Sequence, residues 1–129
     1  PSNSNIYGKL YNWYAINDSR GVCPEGWHVP SNGEYQLLID FLGPNAGVKL
    51  KSEYGWNGTN ESGFNALPGG YRHPIGNDSY DFIGDFGFWW TSNLGGSADA
   101  YRMELNSSNS TTFNTSLYNT GYSVRCIAD

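Results

Sequence analysis

Cys23-Pro24-Glu25-Gly26-Trp27-His28-Val29-Pro30-Ser31 runs directly into Asn32-Gly33-Glu34-Tyr35-Gln36-Leu37-Leu38-Ile39-Asp40-Phe41-Leu42. This stretch carries one of only two cysteines and the one segment with a helical period. Ser31 sits where a helix needs a cap, and Glu34 lies three residues on, the spacing of a capping box. Tyr35, Leu38, Ile39 and Leu42 recur at i, i+3, i+4 and i+7, which predicts one apolar helix face that Gly43-Pro44 then stops. The other cysteine closes Gly121-Tyr122-Ser123-Val124-Arg125-Cys126. Two thiols and no third leave one intramolecular pairing, Cys23 with Cys126. In an oxidising compartment it closes a loop of about 100 residues and contributes roughly 4–5 kcal/mol in the chain-entropy model. Two buried, unlinked thiols are the alternative.

At 129 residues the chain is long enough for a single domain, 1–129, with one core. Charged residues make up 15% of it, while five Trp, ten Tyr and six Phe supply a large area to bury. The net charge of −5 and the scatter of Lys9, Arg20, Lys49, Lys51, Arg72, Arg102 and Arg125 speak against a nucleic-acid partner, which requires clustered cations. No apolar run approaches the ~20 residues of a membrane helix, so insertion is not expected. A start at Pro1 with no visible leader reads as a mature or excised domain of a larger chain. Pairable cysteines and many uncharged polar residues fit an extracellular or cell-surface setting.

Residues 7–16 are aromatic and mostly apolar, and predict a strand or a short edge segment. Beyond Pro44 no helical period recurs. Short aromatic or β-branched runs are instead divided by Gly, Asn and Asp, with the clearest strands over residues 86–92, 101–105 and 122–127. The uncharged residues 106–120 carry Phe113, Leu117 and Tyr118, and predict a loop-strand-loop excursion rather than a linker. One or two early helices followed by many short strands and long loops define an α+β fold.

Several segments together carry a resemblance. They are Tyr7-Gly-Lys-Leu-Tyr-Asn-Trp-Tyr-Ala, Cys23-Pro-Glu-Gly-Trp-His-Val-Pro-Ser, Thr59-Asn-Glu-Ser-Gly-Phe-Asn-Ala-Leu-Pro-Gly-Gly-Tyr-Arg72, Gly87-Phe-Trp-Trp-Thr-Ser92 and Gly121-Tyr-Ser-Val-Arg-Cys-Ile-Ala-Asp129. Nearly end to end, the chain resembles the Fibrobacter succinogenes major paralogous domain, a family of mostly secreted or surface-anchored bacterial modules. Through it the chain is similar to the C-type-lectin fold in its formylglycine-generating-enzyme branch. There a Leu-Pro-Thr-x-x-Glu-Trp helix start and a Gly-Phe-Arg-Cys ending are typical. Val29-Pro30-Ser31 with Glu34-Tyr35, and residues 121–126, occupy those roles here. The resemblance implies two small antiparallel sheets, early helices, adjacent termini and one face of long loops. It does not carry the copper-dependent oxidation of that branch, because residues 99–104 hold no cysteine.

Candidate catalytic residues are sparse. His28 and His73 have no Cys or His neighbour at ligand spacing, and His28 beside Trp27 is expected to pack and hold a backbone carbonyl. No Gly-x-Ser-x-Gly elbow anchors a hydrolase triad, and no Asp is matched to a particular Glu as a glycosidase requires. Asp78, Asp81 and Asp85 with Asn77 offer oxygen ligands for a structural calcium ion. Their spacing fits no EF-hand loop, no Glu-Pro-Asn or Gln-Pro-Asp sugar signature is present, and solvated turn carboxylates are the better reading, so no cofactor is expected. Trp27, Trp89 and Trp90 suggest sugar-stacking platforms. Adjacent strand positions face opposite ways, however, so at least one of Trp89 and Trp90 belongs to the core. The sequons at Asn57, Asn106 and Asn114 follow from composition.

These observations point to a non-catalytic recognition module whose partner is a protein or glycan on another cell or surface. Its ligand face is expected in the loops over residues 77–85, 93–101 and 106–118. Tyr80, Phe82, Tyr101, Phe113 and Tyr118 are the expected anchors, with Asp81, Asn93, Asp99 and Asn114 as polar partners, a mixture typical of recognition surfaces. Some of these rings are expected only to pack the loops down. Residues 77–123 are dominated by Asn, Ser, Asp, Tyr, Gly and Thr, amino acids reachable from Asn codons by adenine-directed mutation, as in proteins varied by diversity-generating retroelements. The alternatives are a structural repeat unit of a large surface protein and a carbohydrate-active enzyme or accessory module.

Overall fold

The Ser31 hydroxyl oxygen accepts the Glu34 amide at 3.1 Å, and the Glu34 carboxylate accepts the Ser31 amide at 2.7 Å, so the capping box is complete. It starts the longest helix of a computed structural model that describes residues 2–76 and 78–129. In chain order the helices are α1 (Ser2–Tyr7), α2 (Trp13–Ile16), α3 (Asn32–Leu42) and α4 (Ala46–Leu50). The strands are β1 (Trp27–His28), β2 (Gly69–Arg72), β3 (Tyr80–Ile83), β4 (Gly87–Leu94), β5 (Asp99–Leu105), β6 (Thr111–Leu117) and β7 (Ile127–Ala128). The apolar face of α3 is the one its period predicts. Tyr35 is buried, Leu38, Ile39 and Leu42 pack against the same core, and Leu37 and Phe41 stay exposed.

A five-stranded sheet with order β3-β2-β4-β5-β6 carries the rest. Its β4–β5–β6 meander is antiparallel, but β2 lies parallel to β4 through the pair Gly70 and Gly87, so the sheet is mixed where all-antiparallel pairing was expected. A Cβ at Gly87 would run into the Trp89 ring and the Leu67 carbonyl, which is why this close crossing needs glycine. Trp89 and Trp90 are both buried, one on each face. Trp89 joins Tyr35, Leu50, Trp56, Met103 and Leu105 under α3 and α4. Trp90 joins Trp13, Phe88, Ala100 and Tyr122 on the other face. A sheet covered on both sides explains the unbroken buried run over residues 87–91, where a half-solvated strand would alternate.

Three local expectations are corrected. Residues 7–16 are not a strand. Asn12 caps the one-turn helix α2 through its side chain, and only Tyr11 pairs, as an isolated bridge to Tyr122. Helix α4, too short to show a period, follows Gly43-Pro44 directly. Residues 122–127 form single bridges at Tyr122 and Ser123 before β7, because each crosses a different neighbour. The excursion over residues 106–120 does contain a strand, β6.

Cys23 and Cys126 are joined in a disulfide with Cα atoms 5.8 Å apart. Beside it β1 and β7 form a two-stranded antiparallel sheet that brings the early and late parts of the chain together. His28 reinforces this closure and does not hold a backbone carbonyl: its Nε2 lies 2.8 Å from Glu34 Oε1 and its Nδ1 2.7 Å from Asp129 Oδ1. The Glu34 contact first, then the Asp129 contact, raises the His28 pKa above its ordinary value. Glu34 is held below its ordinary value, chiefly by the Ser31 amide and then by His28. The His28 contribution is fully present below about pH 6.5, the unfolded value, and is lost as pH rises through the raised folded pKa. The Glu34 contribution is present above its unfolded value and lost as pH falls through the lowered one. The melting temperature is therefore expected to fall as pH rises above about 6.5, and His28→Gln should flatten that slope. Equal slopes in the two proteins would show that the clamp has no energetic weight.

Candidate functional site

On the sheet face that carries Trp90, the β2–β3 hairpin leans over β4, β5 and β6 and leaves a basin of about 340 Å³. Its wall is a run of rings. Phe82 stacks on Tyr71 at 5.9 Å, Phe86 lies 4.7 Å from Phe82, and Phe86 stacks on Phe88 at 5.8 Å. Phe88 and Tyr122 close the deep end at 5.2 Å. Burial first, then the nearby Asp81, pushes the Tyr71 hydroxyl pKa up, so it stays a neutral donor.

The floor is polar. Arg102 and Glu104 alternate with Tyr101, Met103 and Leu105 along β5, so both project to this face while Met103 and Leu105 enter the opposite core. Arg102 Nη1 donates to Glu104 Oε2 at 2.7 Å, and its Nε donates to Ser116 Oγ at 3.0 Å. Ser116 Oγ lies 2.7 Å from the Tyr122 hydroxyl. The guanidinium sits 4.9 Å over the Phe88 ring and 5.7 Å from Tyr122. The Arg102 and Glu104 side chains are only 14% and 17% exposed, so this pair is less screened than the surface pairs of the chain. Such an arrangement holds two opposite charges rigidly at the bottom of an aromatic cup.

Phe82 sits at φ 62, a left-handed backbone conformation that bulky residues rarely adopt. Opposite it Gly70 has φ 64, and a Cβ there would collide with the Asp81 carbonyl oxygen. Backbone conformations of this kind cost about 1–3 kcal/mol each and concentrate at ligand sites. Here the cost places the Phe82 ring, 46% exposed, against Tyr71 at the mouth of the basin.

The residues singled out from sequence are spread over several places. Tyr80, Asp81 and Phe82 lie together and exposed on β3. Of these Phe82 lines the basin, Asp81 pairs with His73 at 2.5 Å, and Tyr80 lines a separate groove beside Tyr7 and Ile83. Asn93 accepts the Asn32 amide at 2.7 Å and so helps to start α3. Asp99 accepts the Gly96 amide in the β4–β5 turn. Tyr101 is half-buried opposite Thr115, and Asn114 is exposed on β6, accepting the Thr115 amide. Phe113 packs towards Tyr35 in the first core, and Tyr118 stacks on Trp13 at 6.1 Å. Asn77 lies outside the described residues. Asp78 pairs with Arg72, and among the described residues no group of three His, Cys, Asp or Glu is placed to hold a metal ion. Sequence reading passed over Tyr71, Phe86, Phe88, Arg102, Glu104, Ser116 and Tyr122. For Arg102 and Glu104 a signal existed, the period-two alternation of residues 101–105.

Fold and site together define an α+β domain closed by one disulfide, with a ring-walled basin on one sheet face. The family model of the Fibrobacter succinogenes major domain matches residues 1–128, and the chain belongs to that family. Comparisons with curated proteins and with solved structures gave no significant match. No helix among the described residues is long and apolar enough to cross a membrane.

Proposed function

We propose that this domain is a non-catalytic ligand-binding module of a secreted or surface bacterial protein, built on a C-type-lectin-like scaffold that uses the aromatic basin for recognition. The observation that carries this reading is the Arg102–Glu104–Ser116–Tyr122 network at the bottom of a ring-lined concavity. Apolar walls with a few fixed polar groups are what a ligand site requires. Both cysteines stand in the disulfide, which fits a scaffold in an oxidising compartment and leaves no thiol for oxidative catalysis. The lectin-like part of the proposal draws on the joined ends and the long loops. Diversification by a retroelement belongs to the same proposal, and its mark would be a reverse transcriptase and a template repeat beside the gene.

A screen of the oxidised domain against a glycan array and purified cell-surface proteins tests the reading. Saturable binding is expected, with loss on Phe82→Ala and a melting temperature unchanged within a few degrees, because Phe82 is half exposed. Absence of any ligand in both formats would favour a structural repeat unit, and turnover of a bound polysaccharide would overturn the non-catalytic assignment.

A further inference from the structure

The basin also has a chemical preference, and this inference rests on the binding role proposed above. We infer that it takes a neutral pyranose residue of a glycan, stacked on Phe82 and Tyr71 and held through its hydroxyls by Arg102 and Glu104. The charge of the floor comes first. Arg102 is paired with Glu104, so the floor has no net charge, and the chain as a whole carries −5. An anionic ligand would meet an already neutralised guanidinium in a negative field, whereas a diol needs an acceptor and a donor side by side. Glu104 supplies carboxylate lone pairs, and Arg102, whose Nη1 and Nε bind Glu104 and Ser116, carries three further N–H groups.

The walls complete the fit. A pyranose presents a face of weakly positive C–H groups, complementary to the negative face of an aromatic ring. The exposed Phe82 ring, held at its costly φ, offers such a face at the mouth. A peptide would more readily add to a sheet edge and pair its backbone, but the floor of the basin lies on β4 and β5, each of which already has a neighbouring strand on both sides.

The test is titration calorimetry of the oxidised domain with neutral gluco-, galacto- and manno-configured tetrasaccharides, with tri-galacturonate, and with a random peptide pool. At least one neutral tetrasaccharide should bind, with tri-galacturonate about tenfold weaker or more. Glu104→Gln should weaken the neutral sugar about tenfold, the scale of one charge-assisted hydrogen bond, and Phe82→Ala should weaken it comparably without altering folding. Should Glu104→Gln unfold the domain, Phe82→Ala alone decides. Preference for the uronate, or Phe82-dependent binding of peptides but not sugars, overturns the sugar assignment and leaves the binding role standing. If no probe binds here and the wider screen also finds no ligand, both fall.

Discussion

Reducing the Cys23–Cys126 disulfide is expected to cost about 4–5 kcal/mol. The two cysteines are 103 residues apart, so the bridge removes a large share of the freedom of the unfolded chain. For a domain of this size such a loss corresponds to a fall of about 15 °C in melting temperature. Paired melts of oxidised and reduced protein measure it, with Cys23→Ser/Cys126→Ser as the control for reductant. A fall under about 3 °C would mean that β1–β7 pairing and the His28 clamp hold the closure without the bridge. That outcome is not expected, because β1 and β7 contribute two residues each and the His28 contacts are exposed to solvent.

Trp90→Ala is expected to cost about 3–5 kcal/mol. The ring is fully buried, edge-on to Trp13 at 5.7 Å and to Tyr122 at 4.7 Å, and its indole N–H donates to the Tyr11 carbonyl at 2.7 Å. Truncation opens a cavity in the second core and removes one of the two donors to that carbonyl, which keeps the Tyr122 amide at 2.9 Å. Because Tyr122 also closes the deep end of the basin, ligand binding should weaken in the same variant. Trp90→Phe, which keeps most of the ring contacts and leaves the Tyr11 carbonyl its Tyr122 amide, should cost less. Urea unfolding measures both, read as a midpoint shift at constant slope. A cost under about 1.5 kcal/mol would show that the second cluster is a surface layer.

The parts legible in the sequence are those governed by neighbours in the chain. The cap at Ser31 and the apolar face of α3 depend on spacings of three and four residues, and both appear as read. The arithmetic of two cysteines leads to the bridge that is present. One-turn elements defeat the same approach. Helix α2 has four residues, and its aromatic content suits a strand equally well until the cap at Asn12 decides. The recognition rings show the same limit: Phe113 and Phe82 look alike in sequence, yet one packs under α3 and the other stands at the mouth of the basin.

By itself, then, the sequence determined an α+β domain with one capped helix, a staple between its ends and a family membership carried by contiguous motifs. Only the tertiary structure decided that both faces of the sheet are covered, that β2 runs parallel to β4, and that Tyr71 and Phe82 stand over Arg102 and Glu104. The physical reason is range. Caps and helix periods are set by backbone hydrogen bonds within a turn or two, whereas the basin exists only once strands about 30 residues apart have taken a register. That register follows from the packing of large rings on two faces at once, which no local pattern encodes.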